Sequence, residues 1–370
     1  MAIATRSAPP EIAGLDVAAY EVPTDEPESD GTLEWASTTA VVVEATAGGE
    51  RGLGYTYGDV AVAGLIESKL VSAVVGMDAL SPPAAWAAMQ RSIRNAGQPG
   101  VGSMAVSAVD IALWDLKAKL LGICLADTLP RFHRRVPIYG SGGFTSYSDE
   151  RLAAQLRGWA ERGIPRVKMK VGRDPGRDAE RVAAARAAIG PGVELMVDAN
   201  GAYSRKEALA WAERFREQDV VYLEEPVSSD DLEGLRLIRD RGPAGLVIAA
   251  GEYGWDLPYF QRMLDAGAVD VLQADVTRCG GITAFLRVDG LCRARCLPLS
   301  AHCAPAVSAH VCCAAETLVH LEYFHDHTRL EGMLFDGTLD PRGGFLEPDR
   351  DRAGLGLELP RGEVREFEVG

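Results

Sequence analysis

Three carboxylates each close a short apolar run: Asp198 ends VELMVD, Glu224 ends VVYLE and Glu252 ends LVIAAGE. They stand 26 and 28 residues apart, close to the ~25–30 residues that one strand and its helix occupy. Acids at the ends of successive parallel strands converge on one face of a barrel, where they repel unless a cation lies among them. An all-oxygen set without a thiol suits a hard divalent cation, with Mg²⁺ first and Mn²⁺ its alternative. Other polar residues keep the same rhythm. Lys168 and Lys170 lie two apart on one run and so point to the same side of a strand. Asp275 and His302 end two later runs, and Glu322 lies within the last. An Asp beside a His at adjacent strand ends is the orienting pair of general acid–base chemistry. Each residue alone reads equally well as a cap or a structural ion pair, but seven consecutive strands with such residues do not.

The elements that must position these residues are legible as eight apolar runs, at 136–141, 167–171, 193–198, 220–224, 246–252, 269–275, 297–302 and 318–324. Charged helical stretches separate them, as parallel βα units require. The fold class is therefore α/β, a closed TIM-type barrel with its site at the C-terminal ends of the strands. No amphipathic helix is evident after the last run. The first ~130 residues lack this rhythm. Residues 12–23 and 35–49 read as antiparallel strands joined by an acidic loop, TDEPESDGTLE. Helical stretches fill 58–95, and a strong helix over 104–121 stops at Gly122. The expected organisation is an α+β capping domain over 1–130, completed by the Gly-, Pro- and Asp-rich tail 331–370, and a barrel over 131–330.

A net charge of -15 across 370 residues argues against a nucleic-acid or anionic-membrane surface. No run approaches the ~20 apolar residues of a membrane span, and MAIATRSAPPEIAG has no apolar core of signal-peptide length. A cytoplasmic homo-oligomer acting on a small molecule is expected. The seven cysteines are skewed to the C-terminal half, where they fall in apolar segments, so buried free thiols are expected rather than a soft-metal site.

The segments AVSAVDIALWDLKAKLLG, KMKVG, VDANGAY, EEP, the Gly-Glu of AAGE, QADVTRCGGIT, SAH and the Glu of HLEYF together resemble the enolase superfamily, in its mandelate racemase subgroup. The resemblance covers most of the chain. It implies a modified (β/α)₇β barrel capped by an α+β domain built from both termini. It implies Asp198, Glu224 and Glu252 as Mg²⁺ ligands and Lys170 as the base on one face of the substrate. Lys168 is implied as its partner at the substrate carboxylate, His302 as the acid/base on the other face, and Asp275 as the group that holds its ring. Glu322 is implied at the substrate carboxylate, and Asn200 beside the pocket. Glu225 is expected to point away from the site. His133, His310, His320, His325 and His327 match no catalytic position.

Cap residues 20–35, beginning at Tyr20, are expected to close over the barrel mouth with Tyr55–Tyr57 nearby. Tyr139, Ser141 and Thr145 are expected to line the pocket. The cap loop offers no Lys or Arg, which favours a substrate with one carboxylate. The reaction that the resemblance implies is α-proton abstraction through an enediolate. Dehydration of an acid sugar to a 2-keto-3-deoxy acid is the expected outcome, with racemisation or epimerisation of a 2-hydroxy acid the alternative and a non-catalytic metal-binding barrel a remote one. A second lysine motif near the sixth strand, which lactonising and dipeptide-epimerising members carry, is missing.

Overall fold

The computed structural model describes residues 9–369. Residues 1–8, most of the leading stretch read above for a signal core, lie outside the described residues. Among the described residues no helix is long and apolar enough to cross a membrane.

The chain begins with an antiparallel sheet of β1 (Gly14–Ser29), β2 (Glu34–Ala47) and β3 (Glu50–Tyr57). The acidic segment expected to be a loop is instead mostly strand. β1 runs through to Ser29, its pairing with β2 shifting register between Pro23 and Glu28, and only 30–33 reverse the chain. β3 escaped the sequence reading because its glycines look like strand breakers. They serve close packing: a Cβ on Gly52 or Gly54 would stand 2.2 Å from the carbonyl oxygen of Ala112 or Ala108. Those carbonyls belong to the helix Val101–Leu121, which ends as expected at Gly122 in the left-handed conformation (φ 68°).

Eight parallel strands then close into a barrel: β4 (Val136–Gly142), β5 (Arg166–Lys170), β6 (Glu194–Asp198), β7 (Val220–Glu224), β8 (Val247–Ala250), β9 (Val271–Ala274), β10 (Leu299–Ala301) and β11 (Leu318–Phe324). β11 pairs with β4 to complete the ring. The α/β class and the barrel read from the sequence are those observed. One expectation fails: a helix, His325–Leu334, does follow the last strand. Three of its five buried residues, Asp326, His327 and Glu331, are polar, and Leu330 and Leu334 alone make too short an apolar stripe to announce it.

Register explains the convergence of the site. Lys170 pairs with Asp198, and Asp198 with Glu224, so three charged side chains share one level of the barrel. Two residues earlier on their strands, Met196 and Tyr222 point the same way by the period-two rule. With Tyr139, Ala249 and Val271 they form a buried apolar layer that closes the barrel beneath the charges. The tail returns to the first sheet as β13 (Glu368–Val369), paired with β1 at Tyr20 and Ala19, after a short β12 (Phe345–Leu346) against β4.

Candidate active site

One oxygen each from Asp198, Glu224 and Glu252 lies within 4.8 Å of the others. All three residues are buried. Lys168 Nζ stands 2.6 Å from Glu224 Oε2, 2.8 Å from Glu322 Oε1 and 3.4 Å from Asp198 Oδ2. Lys170 Nζ donates to Asp198 Oδ2 at 2.6 Å. Burial works against both ammonium groups, yet the carboxylates outweigh it and hold both lysines above their ordinary range. Lys168 in turn pulls Lys170 downward. Burial, with Asp198 beside it, pushes the Glu224 carboxyl up to about 8.

Across the same cavity, His302 Nδ1 bonds Asp275 Oδ2 at 2.8 Å, and its Nε2 stands 3.0 Å from Glu252 Oε2 and 3.4 Å from Glu322 Oε2. Asp275 Oδ1 accepts from the Thr277 N–H and hydroxyl, both at 2.7 Å. Burial disfavours the imidazolium, but Cys303, Glu252, Glu322 and the Asp275 bond raise its pKa well above the ordinary histidine value. Since burial keeps Cys303 a neutral thiol, the carboxylates are the effective cause. The same His302, with Arg278, overcomes burial to hold Glu252 well below the usual range.

Six carboxylates (Asp198, Glu224, Glu225, Glu252, Asp275 and Glu322) are buried here. The cations among them are Lys168, Lys170, Arg278 and the imidazolium of His302. Like charges 4 Å apart repel by about 4 kcal/mol at an effective dielectric of 20. That deficit, and a fully buried Glu224 Oε1 with no hydrogen-bond partner, fit a divalent cation at the three acids.

The roof is the cap. Trp35, Thr38 and Tyr57 line a cavity of about 390 Å³ together with Lys170, Asn200, Glu252, His302 and Glu322. Asn200 follows β6 with φ 46°, and its N–H donates to Asp198 Oδ1 at 3.0 Å. The 30–33 turn presses on the barrel rim: a Cβ on Gly31 would stand 2.4 Å from the Ala199 carbonyl oxygen.

Lys168, Asp198, Glu224 and Asp275 are gathered at the site but lie under the cavity wall rather than on it. Tyr20 does not reach the cavity. It is buried in the main core, where burial and Glu368 of the returning tail raise its pKa. Tyr139 belongs to the apolar layer, its ring 5.3 Å below the Lys168 ammonium, and Ser141 is likewise fully buried. Thr145 bonds Ser29 Oγ at 2.6 Å and the Asp30 carbonyl at 2.8 Å, so it pins the cap turn instead of lining the pocket. Glu225 does not turn away: with φ 39° it leaves the strand pleat, and burial, with Glu252 and Asp198 nearby, raises its pKa well above the usual value.

The sequence reading missed Arg278, Cys303 and His327, all of which line the cavity. Arg278 stands 3.6 Å from Asp275 and 3.8 Å from Glu252; its place three residues after a strand-ending acid was the available signal. Cys303 Sγ lies 3.3 Å from both His302 Nε2 and Glu322 Oε2. The expectation of buried free thiols holds for six cysteines, Cys296 being exposed.

Comparison with known proteins decides the family. Residues 12–129 match the mandelate racemase / muconate lactonizing enzyme N-terminal domain, and residues 151–363 match the enolase C-terminal domain-like family. The chain belongs to the enolase superfamily, in its mandelate racemase subgroup. A mandelate racemase/muconate lactonizing enzyme-like protein from Rubrobacter xylanophilus superposes with a TM-score of 0.96 at 68% identity, over 97% of this chain and 100% of that one. L-talarate/galactarate dehydratase from Salmonella typhimurium, crystallised with magnesium and L-lyxarohydroxamate, gives a TM-score of 0.88 at 27% identity, over 100% of this chain and 96% of that one. A 3,6-anhydro-alpha-L-galactonate cycloisomerase of Streptomyces coelicolor is 32% identical over 85% of this chain and 87% of its own length. Proteins similar to this chain over most of its length thus include both a dehydratase and a cycloisomerase.

Proposed function

We propose that this chain removes the α-proton of a hydroxy-carboxylate through an enediolate, with magnesium as cofactor, and dehydrates an acid sugar to a 2-keto-3-deoxy acid. The observation that carries the reading is one cavity lined by Lys170 from β5 and by His302, oriented by Asp275, from the opposite side. Asp198, Glu224 and Glu252 hold the cation. When bound, magnesium would supply positive charge to the enediolate oxygens, and the enolase superfamily generally pairs a Lys or His base with Mg²⁺. Relatives acting on acid sugars at 27% and 32% identity support the substrate class.

In the chain's own residues the steps are these. Lys170 takes the proton from C2. It must first leave Asp198, whose ion pair keeps it an ammonium, and the neighbouring Lys168 favours the neutral amine by like-charge repulsion. His302, held as an imidazolium, gives its Nε2 proton to the C3 hydroxyl, which departs as water. The C2–C3 enol left behind takes a proton at C3 and becomes the 2-ketone. Lys168 and Glu322 position the substrate carboxylate, and Asp275 keeps the proton on Nδ1.

The test is exchange and loss of water in D₂O over a panel of acid sugars, read by NMR and by detection of 2-keto products. Lys170→Ala and His302→Asn are each expected to abolish net turnover while the circular dichroism stays native. Near-wild-type rates in both would remove the assignment of bases. Exchange of the α-proton without loss of water makes the enzyme a racemase or epimerase. A chain that binds magnesium yet exchanges no α-proton is a non-catalytic barrel.

A further inference from the structure

We infer that the cap-facing wall of the cavity is a hydroxyl-binding subsite built on Asp326, and that it selects an acid sugar whose far end is a neutral polyol rather than a second carboxylate. The inference rests on the acid-sugar reading above and adds the class of acid.

Asp326 opens the helix that follows β11 and lines the cavity. It is 1% exposed. One carboxylate oxygen, Oδ2, accepts the Thr38 hydroxyl of β2 at 2.5 Å. The other, Oδ1, is buried without any hydrogen-bond partner. A buried carboxylate oxygen left unpaired is a costly state, one that a donor on a ligand relieves. Arg329 stands 3.6 Å from Oδ1, beyond hydrogen-bond range, and its guanidinium also donates to the Pro23 carbonyl.

The surroundings specify the donor. Ser37, Thr38 and Thr39 of β2 line the same cavity, as do the acids Asp30 and Asp59. The cations lining the cavity are Lys170, Arg278 and the imidazolium of His302. All three are engaged at the catalytic end, Lys170 with Asp198, and Arg278 and His302 with Asp275 and Glu252. Behind Asp326, the Asp25 carboxylate adds negative charge, opposed on that side by Arg329 and His325. A second substrate carboxylate placed here meets Asp326 with no free cation to receive it. A sugar hydroxyl instead donates to Oδ1, and acceptors built to bind a hydroxyl discriminate strongly against ligands that lack one.

The experiment compares kcat/KM for aldonates and aldarates matched in length and configuration, with glycerate as a short acid that does not span the cavity. The full chain is assayed with Mg²⁺ as wild type and as Asp326→Asn. We expect the wild type to favour the aldonate of a matched pair by tenfold or more. In Asp326→Asn the ratio of kcat/KM for the aldonate to that for glycerate falls about tenfold, mainly through KM, and the aldonate–aldarate gap narrows. An aldarate used as well as its matched aldonate by the wild type overturns the subsite, and needs no variant to fold. So does a variant that slows aldonate and glycerate alike. If no acid in the panel exchanges its α-proton in D₂O, the acid-sugar reading itself fails and the subsite falls with it.

Discussion

Replacing Asp275 by Asn isolates the part played by the His302 dyad. The change keeps the shape of a buried side chain and removes its charge. In the native site one oxygen binds His302 Nδ1 at 2.8 Å and the other accepts two hydrogen bonds from Thr277 at 2.7 Å. The Thr277 N–H and hydroxyl both donate, so the amide oxygen of Asn stays there and its NH₂ turns toward Nδ1. That forces the neutral ring into the tautomer with its proton on Nε2 and withdraws support from the imidazolium. A hydrogen bond to a charged group contributes about 1.5–3 kcal/mol, or roughly one to two pKa units. Turnover should therefore fall by about tenfold to a hundredfold. The alkaline limb of the kcat/KM profile, which reports His302 as the acid, should move to lower pH by about the same one to two units. Removal of the C2 proton by Lys170 should survive. The assay is a pH series of kcat/KM beside NMR-detected exchange in D₂O. An unmoved alkaline limb, or exchange lost in step with turnover, would refute the separation of roles.

Other perturbations test the site and its supports. Glu224→Gln should weaken Mn²⁺ binding, measured by equilibrium dialysis, about a hundredfold or more, because a buried ligand charge is lost; unchanged affinity would move the cation elsewhere. Chelation of the metal should abolish exchange in the wild type, and added Mg²⁺ should restore it. Asp115 is fully buried and accepts the N–H groups of Leu53 and Leu355, each at 2.6 Å, with Lys119 at 2.8 Å. Asp115→Ala strands two backbone donors at about 1–3 kcal/mol each, so a loss of about 2–6 kcal/mol is expected in denaturant unfolding, and one below about 1 kcal/mol would contradict the contacts. Burial raises Glu331 to about 7 despite hydrogen bonds from Tyr55, Tyr57 and the Ala306 N–H. A raised carboxyl holds its proton more tightly when folded, so its contribution to stability falls as pH rises from about 4.3 to 7. Glu331→Gln removes that slope: its stability relative to wild type should rise between pH 5 and 8, and a flat difference would place the ionisation elsewhere.

The barrel and its charged rim were legible because two simple periods coincide. Side chains on a strand alternate with period two, and successive parallel strands hold one register, so Lys170, Asp198 and Glu224 read from separate runs fall at one level. The cap was less legible. β3 was lost because Gly52 and Gly54 obey the helix packed on them rather than strand propensity. The helix after β11 was lost because the residues it buries include acids and a histidine. Tyr20 and Tyr139 were misplaced for another reason: period two fixes the side of a strand an aromatic faces but not its depth, and depth is set by the neighbouring layers.

Residue types and spacing alone determined that several acids, two lysines and an Asp–His pair meet at the C-terminal ends of parallel strands, since chain geometry leaves them nowhere else to go. Tertiary structure decided what lies beyond the strands. Asn200, Glu225, Cys303 and Ala304 adopt positive φ just after the site, where no pleat dictates a direction. Their side chains, with Arg278 and Asp326, are aimed by the cap and by neighbouring loops packed against them. The charges of the reaction are written along the strands; the shape of the molecule it accepts arises only when the cap closes the cavity.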